Sequence, residues 1–449
     1  MYRRAFEDFL AWKNRSKGTT SLLVSGARRV GKSYLVKEFA KHSYRTHIII
    51  DFNKNDKFIE ELFDNYLNDL NIFYFYLSSY FNVELYERKS LIVFDEVQVF
   101  PKARAALKYL VEDGRYDFIE TGSLMSIKEN VKDIVIPSEE DVIELFPMDF
   151  EEFLAALGDH STFALLQHCF DEKIQVGQAI HRRIMTLFRQ YLIVGGMPQA
   201  VKKYAETKSF EEVDIVKRRI LNLYRNDIRK YAKGYEVKTT SLFDEIPAQL
   251  QKHEKKFKFA SIEKNARFRT YQDPMFWLED SMIVNNCYNS TEPTIGLKLK
   301  MDRMSMKCYM ADTGLLISHA FDEKGIVSEE IYKKILFGKL NLNEGMLMEN
   351  IVAQMLRTSG YKLFFFSSSS TQAKDRMEID FLIAKSKVTS KHNITPIEVK
   401  SGKNYTLNSM NKFINKYSEQ VATPIVIHAA DYKSENGIEY LPIYMTPFL

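Results

Sequence analysis

The stretch SGARRVGKS (Ser25–Ser33) decides the fold of the first part of this 449-residue chain. It fits G-x-x-x-x-G-K-[ST], the pattern of a phosphate-binding loop, which joins a strand to a helix. The apolar run Ser21–Ser25 precedes it, and a helical pattern over Ser33–His42 follows it. Because both flanks agree, we prefer a nucleotide site to a chance match in a glycine-containing turn.

Each part of this loop has a physical role in binding phosphate. Its glycines let backbone N–H groups converge on an anion, and the helix N-terminus adds partial positive charge. Lys32 is expected to neutralise the β- and γ-phosphates, and Ser33 to offer its hydroxyl to Mg²⁺. The predicted nucleotide-binding residues of this segment are Gly26, Ala27, Arg28, Arg29, Val30, Gly31, Lys32, Ser33 and Tyr34.

A second element supports the first. The apolar run Leu91–Phe94 ends in Asp95 and Glu96, and a buried strand of the same sheet would deliver these acids beside the loop. Asp95 is predicted to hold Mg²⁺, and Glu96 to orient or deprotonate the attacking water. The prediction that the protein hydrolyses the nucleotide, rather than only binding it, rests mainly on Glu96.

Strand and helix patterns alternate through this part of the chain, which predicts a parallel sheet covered by helices. Further strands are expected at Thr46–Asp51 and Asp117–Glu120. At the end of the latter, Thr121 or Ser123 could contact the γ-phosphate or the attacking water. An ordinary helix cap or turn explains these two residues equally well.

Composition excludes several classes of protein. Lys and Arg number 63 against 59 Asp and Glu, a net charge of +4, so any nucleic-acid surface must come from local clustering. The three cysteines lie far apart without C-x-x-C spacing, which argues against disulfides and zinc and favours a cytoplasmic protein. The apolar run Ile72–Val83 is too short to cross a bilayer, so we expect no membrane association.

The middle of the chain is expected to be a helical lid followed by a winged-helix-like segment. Within it, residues 251–270 carry seven Lys or Arg and two Glu, interleaved with phenylalanines. Such a cluster could bind DNA phosphates. The alternative is a solvated face with the phenylalanines in the core.

The last part predicts a second α/β domain with a candidate metal site. Glu398 and Lys400 share one face of a strand, Asp380 is expected on a neighbouring strand, and Glu349 on the preceding helix. Carboxylates so grouped could bind Mg²⁺, with Lys400 stabilising charge in phosphodiester cleavage. A salt-bridged pair of surface strands is the alternative. The predicted catalytic residues of the chain are Lys32, Glu96, Glu398 and Lys400, and the predicted metal ligands are Ser33, Asp95, Glu349, Asp380 and Glu398.

Taken together, these strings resemble the prokaryotic AAA-type ATPases that join a P-loop domain to a C-terminal PD-(D/E)XK nuclease-like domain of unknown function. The other strings that carry the resemblance are ETGS (Glu120–Ser123), FPMDFEEFL (Phe146–Leu154), YLIVGGMPQAV (Tyr191–Val201), YMADTGLL (Tyr309–Leu316), EGMLMENIVAQML (Glu344–Leu356), MEIDFLI (Met377–Ile383) and PIEVKSG (Pro396–Gly402). Many relatives carry a Gly-Arg pair where this chain has Ser138–Asp141 and no arginine.

The resemblance implies an α/β chain of four parts: a P-loop ATPase domain (1–158), a helical lid (159–237), a winged-helix-like domain (238–320) and a nuclease-like domain (321–449). It also implies ATP and Mg²⁺ as cofactors. One hypothesis is an ATPase whose C-terminal module handles or cleaves DNA. The other is an ATP-dependent switch or interaction protein whose C-terminal domain binds without cutting. A homo-oligomer or a protein partner fits both hypotheses.

Overall fold

The computed structural model describes residues 1–54, 56–122, 139–252, 256–321, 328–336, 344–368, 370, 372, 375–385, 389–402 and 404–449. Apart from Met1, the chain divides into two compact units, Tyr2–Phe146 and Pro147–Leu449.

The described strands of the first unit form one parallel sheet in the order β2-β3-β4-β1-β5. This confirms the parallel sheet predicted from the alternating pattern. The strands are β1 (Ser21–Gly26), β2 (Thr46–Asp51), β3 (Ser90–Asp95), β4 (Asp117–Gly122) and β5 (Glu140–Leu145).

Helices cover both faces of this sheet. On one face, Phe9, Trp12 and Phe39 pack against alternate residues of β1 and β3. On the other, Phe63, Phe73 and neighbouring apolar residues form a second core. The helices are α1 (Ala5–Ser16), α2 (Lys32–Ser43), α3 (Lys57–Asn65), α4 (Leu70–Phe81) and α5 (Pro101–Asp113).

The edge strand β5 was not predicted, because it lies in an acidic stretch whose carboxylates obscure the strand pattern. The register explains how a strand forms there: Val142 and Ile143 pair with Leu23 and Val24 of β1. A buried salt bridge also fixes it, since Arg104 on α5 reaches both Glu120 on β4 and Glu140 on β5 at 2.9 Å.

The second unit begins with helices, as the periodicity of residues 162–235 predicts. In the sequence, Gly195–Pro198 interrupts the helical pattern; in the structure, one helix ends at Val194 and the next begins at Pro198. The helices described in this unit are α6 (Phe150–Ala156), α7 (Thr162–Asp171), α8 (Gln178–Val194), α9 (Pro198–Thr207), α10 (Phe210–Tyr231), α11 (Glu236–Gln251), α12 (Phe268–Asp280), α13 (Thr313–Ala320), α14 (Glu329–Leu336), α15 (Glu344–Thr358) and α16 (Asn408–Lys416).

One sheet runs through the second unit, in the order β12-β13-β11-β10-β9-β8-β6-β7 among the described strands. Its strands are β6 (Val284–Ser290), β7 (Met301–Met310), β8 (Phe364–Ser368), β9 (Met377–Ala384), β10 (Ile394–Val399), β11 (Ile425–His428), β12 (Lys433–Glu435) and β13 (Ile438–Pro442). The elements predicted from residue 344 onward (helix, three strands, helix, strand) agree with this structure.

The hairpin β6–β7 differs from the prediction of a separate winged-helix-like domain over 238–320. Tyr288 and Asn289 of β6 pair in parallel with Phe364 and Phe365 of β8. The hairpin is therefore the edge of the C-terminal sheet. Pairing between strands so far apart in the chain leaves no local signal in the sequence, because each strand pattern is compatible with several partners.

Three of the strings quoted above meet at one buried junction in the second unit. Asp312 Oδ2 accepts a hydrogen bond from Gly196 N (2.5 Å), and Gly196 O accepts one from Met148 N (2.6 Å). A Cβ at Gly196 would lie 2.1 Å from Met148 O, so only glycine allows this approach. These strings therefore serve packing within this unit.

Of the helices described, none is both long and apolar enough to span a membrane.

Candidate functional site

The phosphate-binding loop lies between the end of β1 and the start of α2. Ala27 and Val30 are buried beneath it and anchor its underside. Gly31 has φ +101°, a left-handed conformation that glycine adopts without strain. Arg28 and Arg29 are exposed, and Tyr34, one residue beyond the loop, is 49% exposed. The loop therefore has a fixed apolar base and a polar outer face.

Lys32 is held over this loop. Its Nζ donates hydrogen bonds to Gly26 O (2.9 Å) and Ala27 O (3.1 Å), and the side chain is largely buried. The ammonium thus lies against the backbone of the predicted phosphate cradle, at the N-terminus of α2. Positive charge and a helix N-terminus at one place suit a phosphate group.

Ser33 and Asp95 come together although 62 residues separate them. Ser33 Oγ donates to Asp95 Oδ1 at 2.8 Å. The same carboxylate oxygen accepts a hydrogen bond from Thr121 Oγ1 at 2.5 Å. A hydroxyl and a carboxylate side by side are oxygen donors of the kind that Mg²⁺ prefers. The parallel order of β1, β3 and β4 brings these three residues to one edge of the sheet.

Glu96 follows Asp95 at this edge in a left-handed conformation, with φ +60° and ψ +46°. Its backbone N–H donates to Thr121 Oγ1 (3.2 Å), and its side chain accepts a hydrogen bond from Gln98 Nε2 at 2.6 Å. Gln98 was not among the predicted site residues. Its position two residues after Glu96 was the available signal, but glutamine in that place is uninformative alone.

The structure brings Lys32, Ser33, Asp95 and Glu96 to the same edge of the sheet, as the sequence predicts. Thr121 is fully buried, and its hydroxyl links Asp95 to the Glu96 backbone, so it positions the two acids. Its predicted contact with the nucleotide or the attacking water stays a prediction. Ser123 lies outside the described residues.

Two of the three predicted metal ligands of the C-terminal part, Glu349 and Asp380, lie beside a lysine that the sequence analysis missed. The ammonium of Lys307, on β7, lies 2.8 Å from Glu378 Oε1, 3.5 Å from Asp380 Oδ1 and 3.9 Å from Glu349 Oε2. Burial alone lowers the pKa of Lys307, but the three carboxylates outweigh it and raise the pKa above its ordinary value. Tyr309 OH donates to Glu349 Oε2 at 3.0 Å.

Glu398, the third predicted ligand, pairs with a different lysine. Its carboxylate lies 2.5 Å from Lys400 Nζ and is almost fully buried. Burial raises the pKa of Glu398 above its ordinary value, and Lys400 opposes that shift. The shared strand face of Glu398 and Lys400 is as predicted.

The three predicted metal ligands have different lysine neighbours. In the parts of the chain that the structure describes, no three His, Cys, Asp or Glu side chains are grouped so as to hold a metal ion. Lys307 lies beside Asp380 and Glu349, and Lys400 lies beside Glu398; the metal-binding role of these three acids stays a prediction. A lone charge in the otherwise apolar run Met306–Met310 was the signal for Lys307.

The basic segment 251–270 divides into two classes of side chain. Phe257 and Phe259 are buried and contact each other at 5.1 Å between ring centroids, as the alternative interpretation expected. Lys256 donates to Ser367 Oγ at 2.6 Å. Among the residues of this segment that the structure describes, four basic side chains are exposed: Lys258, Lys264, Arg267 and Arg269.

Comparisons with known proteins agree with the geometry of the first site. Residues 19–154 match the family model of an AAA domain. This confirms the predicted AAA-type ATPase domain in the first part of the chain. Residues 185–324 match a domain of unknown function (DUF8612), and residues 344–446 match another (DUF4143). Neither description names a fold, so the nuclease-like character of the C-terminal part remains a prediction. No curated protein matches the chain.

Among solved structures, the chain is similar to three archaeal proteins. The Walker-type ATPase PABY2304 of Pyrococcus abyssi is 14% identical, with a TM-score of 0.40, over 71% of this chain and 95% of that one. The ORC1 protein of Aeropyrum pernix, solved with DNA, is 10% identical with a TM-score of 0.30, over 73% and 94%. Cdc6p from Pyrobaculum aerophilum is 11% identical with a TM-score of 0.25, over 75% and 94%. At TM-scores this low, the likenesses are weak.

Proposed function

We propose that this protein binds ATP with Mg²⁺ at the edge of the first sheet and hydrolyses it. The observation that carries the proposal is the hydrogen bond from Ser33 Oγ to Asp95 Oδ1, beside Lys32. A phosphate cradle, a hydroxyl, a carboxylate and a second acid in one place are the parts that phosphoryl transfer to water needs.

Each residue has a separate role in this proposal. Backbone N–H groups of Gly26–Ser33 bind the phosphates, and Lys32 leaves the loop carbonyls to neutralise the β- and γ-phosphates. Ser33 and Asp95 would hold Mg²⁺, which supplies charge neutralisation on the phosphate oxygens. Glu96 accepts the proton of the attacking water, with its carboxylate oriented by Gln98.

Replacing Lys32 tests this proposal. Lys32→Ala removes the charge that stabilises the transferring phosphoryl group, and we expect ATP turnover to fall by about 100-fold or more. The matched control is Lys37→Ala, an exposed lysine on the same helix, which should turn over ATP at the rate of the unchanged protein. Steady-state phosphate release measures both. Undiminished turnover in a folded Lys32→Ala variant would refute the proposal.

For the second unit, the geometry favours binding without cutting over metal-dependent cleavage. The residues expected to hold a metal are paired with Lys307 and Lys400. Meanwhile Lys258, Lys264, Arg267 and Arg269 place positive charge at the surface, where DNA phosphates can reach it. We therefore propose an ATPase whose second unit binds DNA or another polyanion. The salt dependence of DNA binding tests this proposal.

A further inference from the structure

Lys307 is a charged side chain in an unusual place. Its side chain is 1% exposed, and its Nζ lies 5.1 Å from the centroid of the Phe365 ring. An ammonium buried to this extent is stable only if opposite charges surround it. Glu378, Asp380 and Glu349 supply those charges from β9 and α15.

The ammonium lies beside two of the predicted metal ligands, 3.5 Å from Asp380 Oδ1 and 3.9 Å from Glu349 Oε2. A divalent ion bound by both carboxylates would sit about 2.0–2.6 Å from their oxygens, so it would bring a second positive charge close to the buried ammonium. The other oxygen of Asp380 accepts a hydrogen bond from Val399 N at 2.9 Å. A divalent metal therefore does not fit among these residues while Lys307 is in place.

We propose that Lys307 is the resident cation of this carboxylate cluster and that it replaces the metal ion of a nuclease-like site. The cluster then serves to join β7 to α15 and β9, and the second unit works without a divalent metal. This deepens the proposal of binding without cutting, but its test measures metal binding, which is separate from ATP turnover and from DNA binding.

The first arm of the test compares the unchanged full-length protein with Asp380→Asn, without nucleotide. Both are titrated with Mn²⁺, and bound metal is counted by electron paramagnetic resonance. We expect the two proteins to bind the same number of ions. One additional Mn²⁺ per chain in the unchanged protein, lost in Asp380→Asn, would overturn the proposal.

The second arm removes the ammonium. Lys307→Met keeps the length of the side chain without its charge, and we expect it to gain one Mn²⁺ per chain. That gain should disappear in Lys307→Met with Asp380→Asn. Lys307→Arg, which keeps a cation, should gain none. A folded Lys307→Met that binds no additional ion would contradict the assignment. If that variant does not fold, as judged by circular dichroism, the first arm still decides.

Discussion

Glu96 shows how one residue can be held in place by its neighbours. A left-handed backbone costs a non-glycine residue on the order of 1–3 kcal/mol and persists only where contacts enforce it. Here Thr121 Oγ1 accepts a hydrogen bond from the Glu96 backbone N–H, and Gln98 Nε2 donates one to the Glu96 carboxylate. We infer that the strained conformation serves to place this acid.

Glu96→Gln separates hydrolysis from binding. The amide keeps the size of the side chain but cannot accept the proton of the attacking water. We expect turnover to fall by about 100-fold, while ATP affinity, measured by calorimetry, changes by less than about threefold. Glu112→Gln, an exposed substitution on α5, is the control. If Glu96→Gln hydrolyses ATP normally, another group activates the water.

At the scale of elements, the salt bridge of Arg104 ties α5 to two strands. The guanidinium is 3% exposed, and the carboxylates of Glu120 and Glu140 are 0% and 7% exposed. Burial raises the pKa of Glu120 well above its ordinary value, and Arg104 opposes that shift. The arginine therefore keeps two buried acids compatible with the folded sheet.

Arg104→Met should destabilise the protein by about 3–5 kcal/mol, because it leaves buried carboxylates without their counter-ion. Urea unfolding, followed by fluorescence, measures the change. Adding Glu120→Gln to this variant should restore part of the loss, since the double variant buries one charge fewer. A loss below about 1 kcal/mol, as for a surface ion pair, would show that Arg104 is dispensable for stability.

The elements of the first unit could be predicted because their patterns are local. Apolar runs such as Leu91–Phe94 mark buried parallel strands, and a loop motif with the right flanks places a helix. Strand β5 could not be predicted, since three of its six residues are carboxylates, which obscure the alternating apolar pattern. The pairing of β6 with β8 could not either, because it joins distant segments.

In the candidate sites too, residues placed by local motifs were predictable, and residues brought in from distant segments were not. Lys32, Ser33, Asp95 and Glu96 belong to motifs whose spacing carries their geometry, so their meeting was predictable. At the C-terminal cluster, the sequence shows the acids but not which cation reaches them. Lys307 arrives from another strand, and only the folded sheet brings it to Glu378 and Asp380.

On the scale of the whole molecule, the net charge of +4 hides opposed regions. Residues 137–153 hold seven carboxylates and no base, whereas residues 251–270 carry a net +5. In the second unit the exposed part of that basic cluster includes Lys264, Arg267 and Arg269. The net charge therefore says little about binding partners, and the local clusters of charge are the informative feature.

Changing Lys264, Arg267 and Arg269 to Ala together should weaken DNA binding. If all three contact phosphates of duplex DNA, the slope of log affinity against log salt concentration should become shallower by up to about 2.7. Fluorescence anisotropy at several salt concentrations measures the slope.

The control for this experiment is the triple change of Arg229, Lys230 and Lys233 to Ala, which removes the same charge from exposed positions elsewhere in the second unit. Equal slopes for the two triple variants would show that the segment has no specific role in binding.

The position of Lys307 also has a consequence for synthesis on the ribosome. Asp380 lies 73 residues further along the chain, and Phe364, the partner of Tyr288, is likewise made later. Until those residues emerge, the nascent hairpin β6–β7 exposes an open strand edge and a lysine destined for the interior. Such an edge is a point where newly made chains associate wrongly. Pairing of β6 with β8 must therefore wait until residue 364 has left the ribosome, and ribosome-bound chains ending before residue 364 should be the ones that need a chaperone.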